Sequence, residues 1–216
     1  MKNLIVLIHV CCLFWTCSKR SNPEIELPFY NSGVFTPEWI AKDDQAYDSI
    51  HTISTFSFQD QNGENVTNAK FDGKVYAANF FFSICPGVCP KMKNNLMKVQ
   101  ETFIEDDRVK ILSHTVMPWV DSVARLKEYA LLNDIDSNIW HLVTGSKQDI
   151  YGMARSSYFA DEGFGKSVTS EEDFLHTENV VLIDQKRRIR GVYSGTLEVE
   201  INRMIEDIQL LLKEEE

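Results

Sequence analysis

The sequence predicts an α/β sandwich: a central mixed sheet flanked by helices and closed by a C-terminal hairpin and helix. Three observations carry that reading. Strand-like and helix-like segments alternate from about residue 50 onward, the pattern of a layered α/β core. The run from Val75 to Phe82 is almost continuously apolar, as expected of a central strand covered on both faces. That run leads into Phe80-Phe-Phe-Ser-Ile-Cys85-Pro-Gly-Val-Cys89-Pro90, which sets two cysteines on a strand-to-helix turn. At 216 residues and 44% hydrophobic, the chain supports one good core, read here as a single domain over residues 51–216.

The elements follow in order. Ile53 to Phe58 has strand character, and Asp60-Gln-Asn62-Gly63 is a strong turn signal behind it. Asp72-Gly73 makes another turn before the apolar strand, in which Asn79 is the one polar interruption. After Pro90, the spacing of Met92, Leu96, Val99 and Phe103 predicts a helix, with the proline in its first turn. Val109 to His114 reads as a strand. Val120 to Leu132 reads as a second helix, with Asp121 or Ser122 as N-cap. Ile139 to Val143 is a short strand, and Thr144-Gly145-Ser146 opens a third helix reaching about Tyr158. Val180 to Asp184 and Ile189 to Tyr193 form a hairpin over a charged turn. Glu198 to Lys213 closes the chain as an amphipathic helix, with Ile201, Met204, Ile205, Ile208 and Leu212 inward. A cysteine pair at a strand-to-helix junction within this order narrows the sandwich to a thioredoxin-like fold.

The N-terminus is different in kind. Met1-Lys2-Asn3 carries one positive charge, and Leu4 to Cys17 is apolar apart from His9 and Thr16. That segment is too short to span a bilayer, which takes roughly 20 helical residues, and it fits a secretory signal. Cys17-Ser18-Lys19 makes residues 1–17 resemble a bacterial lipoprotein signal with Cys17 as the lipidated residue. Phe14-Trp15-Thr16 is bulkier than the small residues usual before such a cysteine, so an ordinary signal peptide and an uncleaved anchor stay open. All three place the domain in the cell envelope, facing the periplasm or exterior. Residues 18–50, with Pro23, Pro28 and Pro37, read as a tether and irregular lead-in. Net charge is −10, which argues against non-specific binding to nucleic acid or anionic lipid. Nothing suggests an extended hydrophobic interface, so a monomer is expected.

Of five cysteines, Cys11, Cys12 and Cys17 belong to the N-terminal segment, leaving the exported domain only Cys85 and Cys89. An oxidising compartment permits a disulfide, but closing so short a loop removes little chain entropy. Redox or metal chemistry is the better reason for the pair. Three residues separate the cysteines, about one turn if helical, so both sulfurs can face one ion. The helix N-terminus favours thiolate, and Lys91 and Lys93 add to this. Two thiolates are too few for a closed structural zinc site. A third ligand would be a histidine, and the residues alone leave its choice open. His51 reads as solvated, His114 and His141 as structural strand residues, and His176 as an exposed loop residue.

Cys85-Pro-Gly-Val-Cys89-Pro90 after Phe80-Phe-Phe-Ser resembles the signature of the Sco/SenC family, thioredoxin-fold proteins that handle copper during cytochrome c oxidase assembly. Further likenesses are Asp60-Gln-Asn-Gly63, Phe71-Asp-Gly-Lys74, Trp140-His-Leu-Val-Thr-Gly145, Val181-Leu-Ile-Asp184 and Ile189-Arg-Gly-Val-Tyr-Ser-Gly195. They run from about residue 50 to 212. The resemblance implies one copper ion, Cu(I) or Cu(II), on Cys85, Cys89 and His176, the last standing where the family has a histidine before a strand. It implies delivery to the binuclear copper centre of the oxidase's copper-bearing subunit, with a copper donor and a thiol reductant as further partners. Two departures stand out. Met117-Pro118 replaces the family's usual Asp-Pro, although Asp121 is retained, and the turn Asp184-Gln-Lys-Arg-Arg188 lacks a customary glycine. The alternative reading is a thiol-disulfide oxidoreductase using Cys85 and Cys89 as a redox-active pair, without need of His176. Peroxide reduction fits the paired Cys-Pro motif poorly. A copper or redox sensor would share the site entirely.

Overall fold

The computed structural model describes residues 26–160 and 177–214. Seven strands form one mixed sheet: β1 (Ser57–Asp60), β2 (Asn65–Thr67), β3 (Val75–Phe81), β4 (Val109–Thr115), β5 (Trp140–Thr144), β6 (Asn179–Ile183) and β7 (Ile189–Ser194). Their order is β2-β1-β5-β4-β3-β6-β7. Strands β3, β4 and β5 are parallel, in register Ala77–Ile111 and Ile111–Trp140, and the flanking pairs are antiparallel. Four helices connect or close them: α1 (Val88–Phe103), α2 (Val123–Leu132), α3 (Lys147–Ser156) and α4 (Glu198–Lys213). The fold is thioredoxin-like.

The sheet divides two cores by the alternation of its side chains. Val75, Ala77 and Phe81 join Ile111 and Leu142 on one face, packed against Met92, Leu96 and Val99 of α1, Leu126 of α2, and Ile201, Met204 and Ile208 of α4. Tyr76, Ala78 and Phe80 lie on the other face with Phe56, Phe71, Leu112 and Ile150, Tyr151 and Ala154 of α3. Every residue of β3 and β4 is buried, which explains their unbroken apolar reading. In α4 the fully buried stripe runs through Ile201, Met204, Ile208 and Leu211; Ile205 and Leu212 flank it half-buried.

Several boundaries move for identifiable reasons. The first strand begins at Ser57 rather than Ile53, because Ile53 N–H donates to Arg187 O and Phe56 N–H to Asn68 Oδ1, outside the ladder. The Asp60–Gly63 turn joins β1 to the unforeseen β2, with Gly63 at φ 78°, a conformation glycine adopts without strain. Helix α2 begins three residues late, since Ser122 takes the cap, its Oγ accepting from Arg125 N–H. The lead-in is irregular but docked. Leu27, Phe29 and Ile50 are buried, and Arg190 donates to the carbonyls of Leu27 and Pro28. Close approach marks Gly195, where an added Cβ would lie 2.6 Å from Met92 Cγ and 2.9 Å from Val180 Cγ2.

The β6–β7 turn has Arg187 at φ 63°, in the left-handed region that favours glycine, and no glycine stands in the turn. Asp184 organises that turn, its Oδ1 accepting from Lys186 and Arg188 N–H. The left-handed conformation costs a residue with a Cβ about 1–2 kcal/mol, partly offset by the entropy glycine loses on folding. Arg187→Gly is therefore expected to stabilise the domain by about 0.5–1 kcal/mol in urea unfolding at pH 7.

His114 and His141 are buried on β4 and β5. Burial pushes the His114 imidazole down to about 3, among the rings of Phe80, Phe58 and Tyr158. Burial, reinforced by Lys70, holds His141 at about 4 despite Asp60 Oδ2 at 3.4 Å from Nδ1. Both folded values lie below the unfolded value near 6.5, so the unfolded chain takes up protons first. The stability they confer is complete above that value and lost as pH falls toward 4 and then 3. Each removes on the order of 2 kcal/mol between pH 7 and 4.5. His114→Phe is expected to make that decline shallower, read from urea midpoints at the two pH values.

Candidate functional site

The thiols sit where β3 ends. Past Phe81, Cys85 N–H donates to Phe82 O at 3.2 Å, tightening the turn. Gly87 (φ −124°, ψ −88°) is the N-cap of α1, which starts at Val88, two residues before the expected point. Cys89 is thus inside the helix and Cys85 stands before its N-terminus. Pro90 is the third helical residue, where an N–H would have no intrahelical acceptor.

Cys85 and Cys89 are free thiols, 9% and 7% exposed. Their environments differ. Burial pushes the Cys85 thiol up, but the backbone amides of Cys89, Gly87 and Val88, with the Cys89 side chain, outweigh it and leave Cys85 below its ordinary value. Burial dominates at Cys89 and, with Cys85 beside it, pushes that thiol up to about 12. One thiol faces the positive end of the helix; the other is the helix's own buried residue. The two sulfurs are adjacent, one a ready nucleophile and the other a protonated partner.

Behind Cys89 is a narrow crevice lined by Met92, Lys93, Asn79, Ser113, Tyr129 and Trp140, among others. Its back wall is a buried polar chain, Trp140 Nε1–H donating to Ser113 Oγ at 2.8 Å and Ser113 Oγ–H to Asn79 Oδ1 at 2.5 Å. Asn79, the polar interruption of the apolar strand, is thereby satisfied. Tyr129 of α2 leans over the pair from Phe81, at 5.6 Å between rings. Burial, reinforced by the acidic groups of Cys89, Asp121 and Cys85 nearby, pushes its phenol up to about 12. A second crevice joins Cys89 and Val88 to Phe82, Val116 and Thr177.

The histidines separate. His51 is half-buried rather than solvated: Nε2 lies 2.9 Å from Ser157 O and the ring rests against Phe159 at 4.4 Å. His114 and His141 side chains lie on the sheet face opposite α1. His176 and Cys17 lie outside the described residues. Thr177, next in sequence to His176, is buried and lines the same crevice as Cys89. Among the described residues no three His, Cys, Asp or Glu side chains cluster to hold a metal ion, and no helix is long and apolar enough to cross a membrane. Sequence reasoning missed Ser83 and Tyr129 as neighbours of the thiols, and offered Asp121 as a cap and as a retained acidic residue without a role.

The SCO1/SenC family profile matches residues 44–213. A SCO1/SenC family lipoprotein from Bacillus anthracis is 28% identical, with a TM-score of 0.65 over 75% of this chain and 95% of that one. BsSco, a member of the Sco family of cytochrome c oxidase assembly proteins in which a disulfide switch is described, is 26% identical, with a TM-score of 0.62 over 74% of this chain and 92% of that one. ScoI of Bradyrhizobium japonicum, solved with copper bound, is 24% identical, with a TM-score of 0.59 over 74% and 99%. This last likeness is one of fold.

The unequal thiols make a direct expectation. In the reduced protein at pH 7.5, iodoacetamide should modify Cys85 at least about tenfold faster than Cys89, read by peptide mass spectrometry. Equal rates would contradict the asymmetry.

Proposed function

This chain belongs to the SCO1/SenC family, and we propose that it is a copper metallochaperone that holds one ion through Cys85, Cys89 and His176. Its destination on this reading is the binuclear copper centre of a cytochrome c oxidase subunit. The observation that carries the reading is the pair of free, adjacent thiols at the N-terminus of α1. Soft thiolates favour Cu(I), and imidazole suits both oxidation states. Support for His176 comes from its neighbour Thr177, which is buried and lines the same crevice as Cys89, and from the family resemblance. Membership of BsSco in a family of cytochrome c oxidase assembly proteins supports the partner, and the soft thiol pair supports the cargo.

The geometry suits transfer. Cys85 precedes α1 and Cys89 lies within it, so the two ligands come from separate pieces of backbone and an incoming partner's ligands displace them one at a time. Copper displaces the Cys89 proton, so binding strengthens as pH rises, by up to about tenfold per unit for that proton. We further propose that Cys17 is lipidated and holds the domain, as a monomer, at the outer side of the membrane; the lipoprotein from B. anthracis supports that placement. A copper donor and a thiol reductant would serve it there.

The asymmetry of the thiols favours a second reading. As an oxidoreductase, the Cys85 thiolate attacks a partner disulfide, breaks its S–S bond and expels one partner thiolate, which takes up a proton. Cys89 then loses its proton and attacks Cys85 in the mixed disulfide. The partner leaves with two thiols, and the Cys85–Cys89 disulfide holds the oxidising equivalents until an external thiol reductant restores it.

Copper titration of the reduced domain lacking residues 1–17 separates the readings. One tightly bound ion is expected, with affinity lowered at least about 100-fold in Cys85→Ser, Cys89→Ser and His176→Ala. Disulfide exchange should survive in His176→Ala and vanish in both serine variants. Normal copper binding by His176→Ala would remove it from the ligand set. Weak copper binding beside rapid exchange would establish the oxidoreductase.

A further inference from the structure

Asp121 was offered by the sequence as a helix cap, but Ser122 fills that position and leaves the Asp121 side chain free to turn inward. It is completely buried and no cation pairs with it among the described residues. Instead it gathers donors from two loops. Ser83 N–H donates to Oδ2 at 3.1 Å and Ser83 Oγ–H to Oδ1 at 2.5 Å, a two-point grip on one residue. Thr115 Oγ1–H donates to Oδ2 at 2.5 Å from the end of β4, and Thr115 Oγ1 accepts from Met117 N–H. From outside, Arg125 Nε–H donates to Ser83 Oγ at 2.9 Å.

Ser83 stands two residues before Cys85, on the turn that carries the first thiol from the strand to the helix. The amides of Val88 and Cys89 belong to α1 and that of Gly87 to its N-cap, and α1 is fixed by its own core contacts. The Cys85 sulfur reaches them only if the intervening turn is held. Within the turn Ile84 is exposed and Cys85 N–H bonds to Phe82 O, whereas Ser83 reaches across to the β4–α2 loop through both its amide and its hydroxyl. We propose that Asp121 is a positioning residue of the thiol pair: through Ser83 it seats Cys85 against the helix amides, tying the β3–α1 loop to the β4–α2 loop. Buried charge is expensive unless fully hydrogen-bonded, and here each bond is charge-assisted, so the grip is strong and geometrically specific. The inference rests on Cys85 and Cys89 being the working pair.

The substitution Asp121→Asn keeps the shape but replaces one acceptor oxygen with a donor that faces hydroxyl donors. It is expected to slow iodoacetamide modification of Cys85 in the reduced protein at pH 7.5 by about tenfold. Ser83→Ala, which keeps the backbone bond, should slow it by about threefold, and Ser83→Thr, which restores the hydroxyl, should return it to within about twofold of the native rate. A lowered unfolding midpoint with an unchanged Cys85 rate in Asp121→Asn would overturn the proposal and leave a structural role only. Should Asp121→Asn fail to fold, a native Cys85 rate in Ser83→Ala overturns it equally. An unmodified protein whose Cys85 reacts no faster than a free peptide thiol would instead overturn the premise about the thiols. Absence of copper binding, with the Asp121 effects intact, would remove the metallochaperone reading and leave this one standing.

Discussion

The site depends on the ladder that holds β3 between β4 and β6. All seven of its residues pair in register with β4, and Tyr76 to Asn79 pair on the other side with β6. A strand bonded on both edges and buried on both faces has no freedom to shift, because a slip of one residue would exchange its two cores. Its C-terminal end is therefore a fixed point. The turn bearing Cys85 leaves from that point, and α1 returns across the same sheet to pack Met92, Leu96 and Val99 on it. A reactive thiol at a helix N-terminus requires both ends of the turn to be held, and the fold holds both.

Two buried polar chains stand at the thiol end of this apolar frame. Asn79, Ser113 and Trp140 form one chain behind Cys89, and Asp121, Ser83 and Thr115 form another beside Cys85. Buried polar groups are tolerated when fully bonded and costly otherwise, so each chain specifies one arrangement of its loop. The unequal thiols follow from the same geometry. One sulfur is surrounded by amides, the other by side chains of the core.

At the opposite end of the sheet the organisation is ionic. Arg190, 3% exposed, makes a two-point contact with Glu214 and donates to Leu27 O and Pro28 O, while Arg188 pairs with Asp184 at 2.9 Å. Both guanidinium groups stack on Phe29. This cluster binds the lead-in to the β6–β7 turn and the end of α4, far from the cysteines. β6 runs antiparallel to β3, so its last residues meet the start of β3 and its first residues meet the thiol end. The chain enters the domain at one pole and presents its chemistry at the other.

What the sequence determined by itself was local. Periodicity placed α4 at Glu198–Lys213 and α1 to within two residues, because burial of one helix face writes its spacing directly into the chain. The apolar run marked β3, and the cysteine motif marked both the junction and the family. Tertiary structure decided whatever depended on a partner distant in sequence. Ile53 to Phe56 had strand composition, but the amides of Ile53 and Phe56 bond to Arg187 O and Asn68 Oδ1 rather than to a ladder, so the strand began at Ser57. Ser122 and Asp121 were equal as caps until Ser83 and Thr115, from two other segments, claimed the aspartate. His114 and His141 read as structural, yet only the pairing of β4 with β5 put them on the face turned away from α1. Leu211 rather than Leu212 faced the core because the sheet, not the helix, set the direction of burial. Composition and spacing fix which residues can form an element; the energy of their contacts across the chain fixes where it stops and which way it faces.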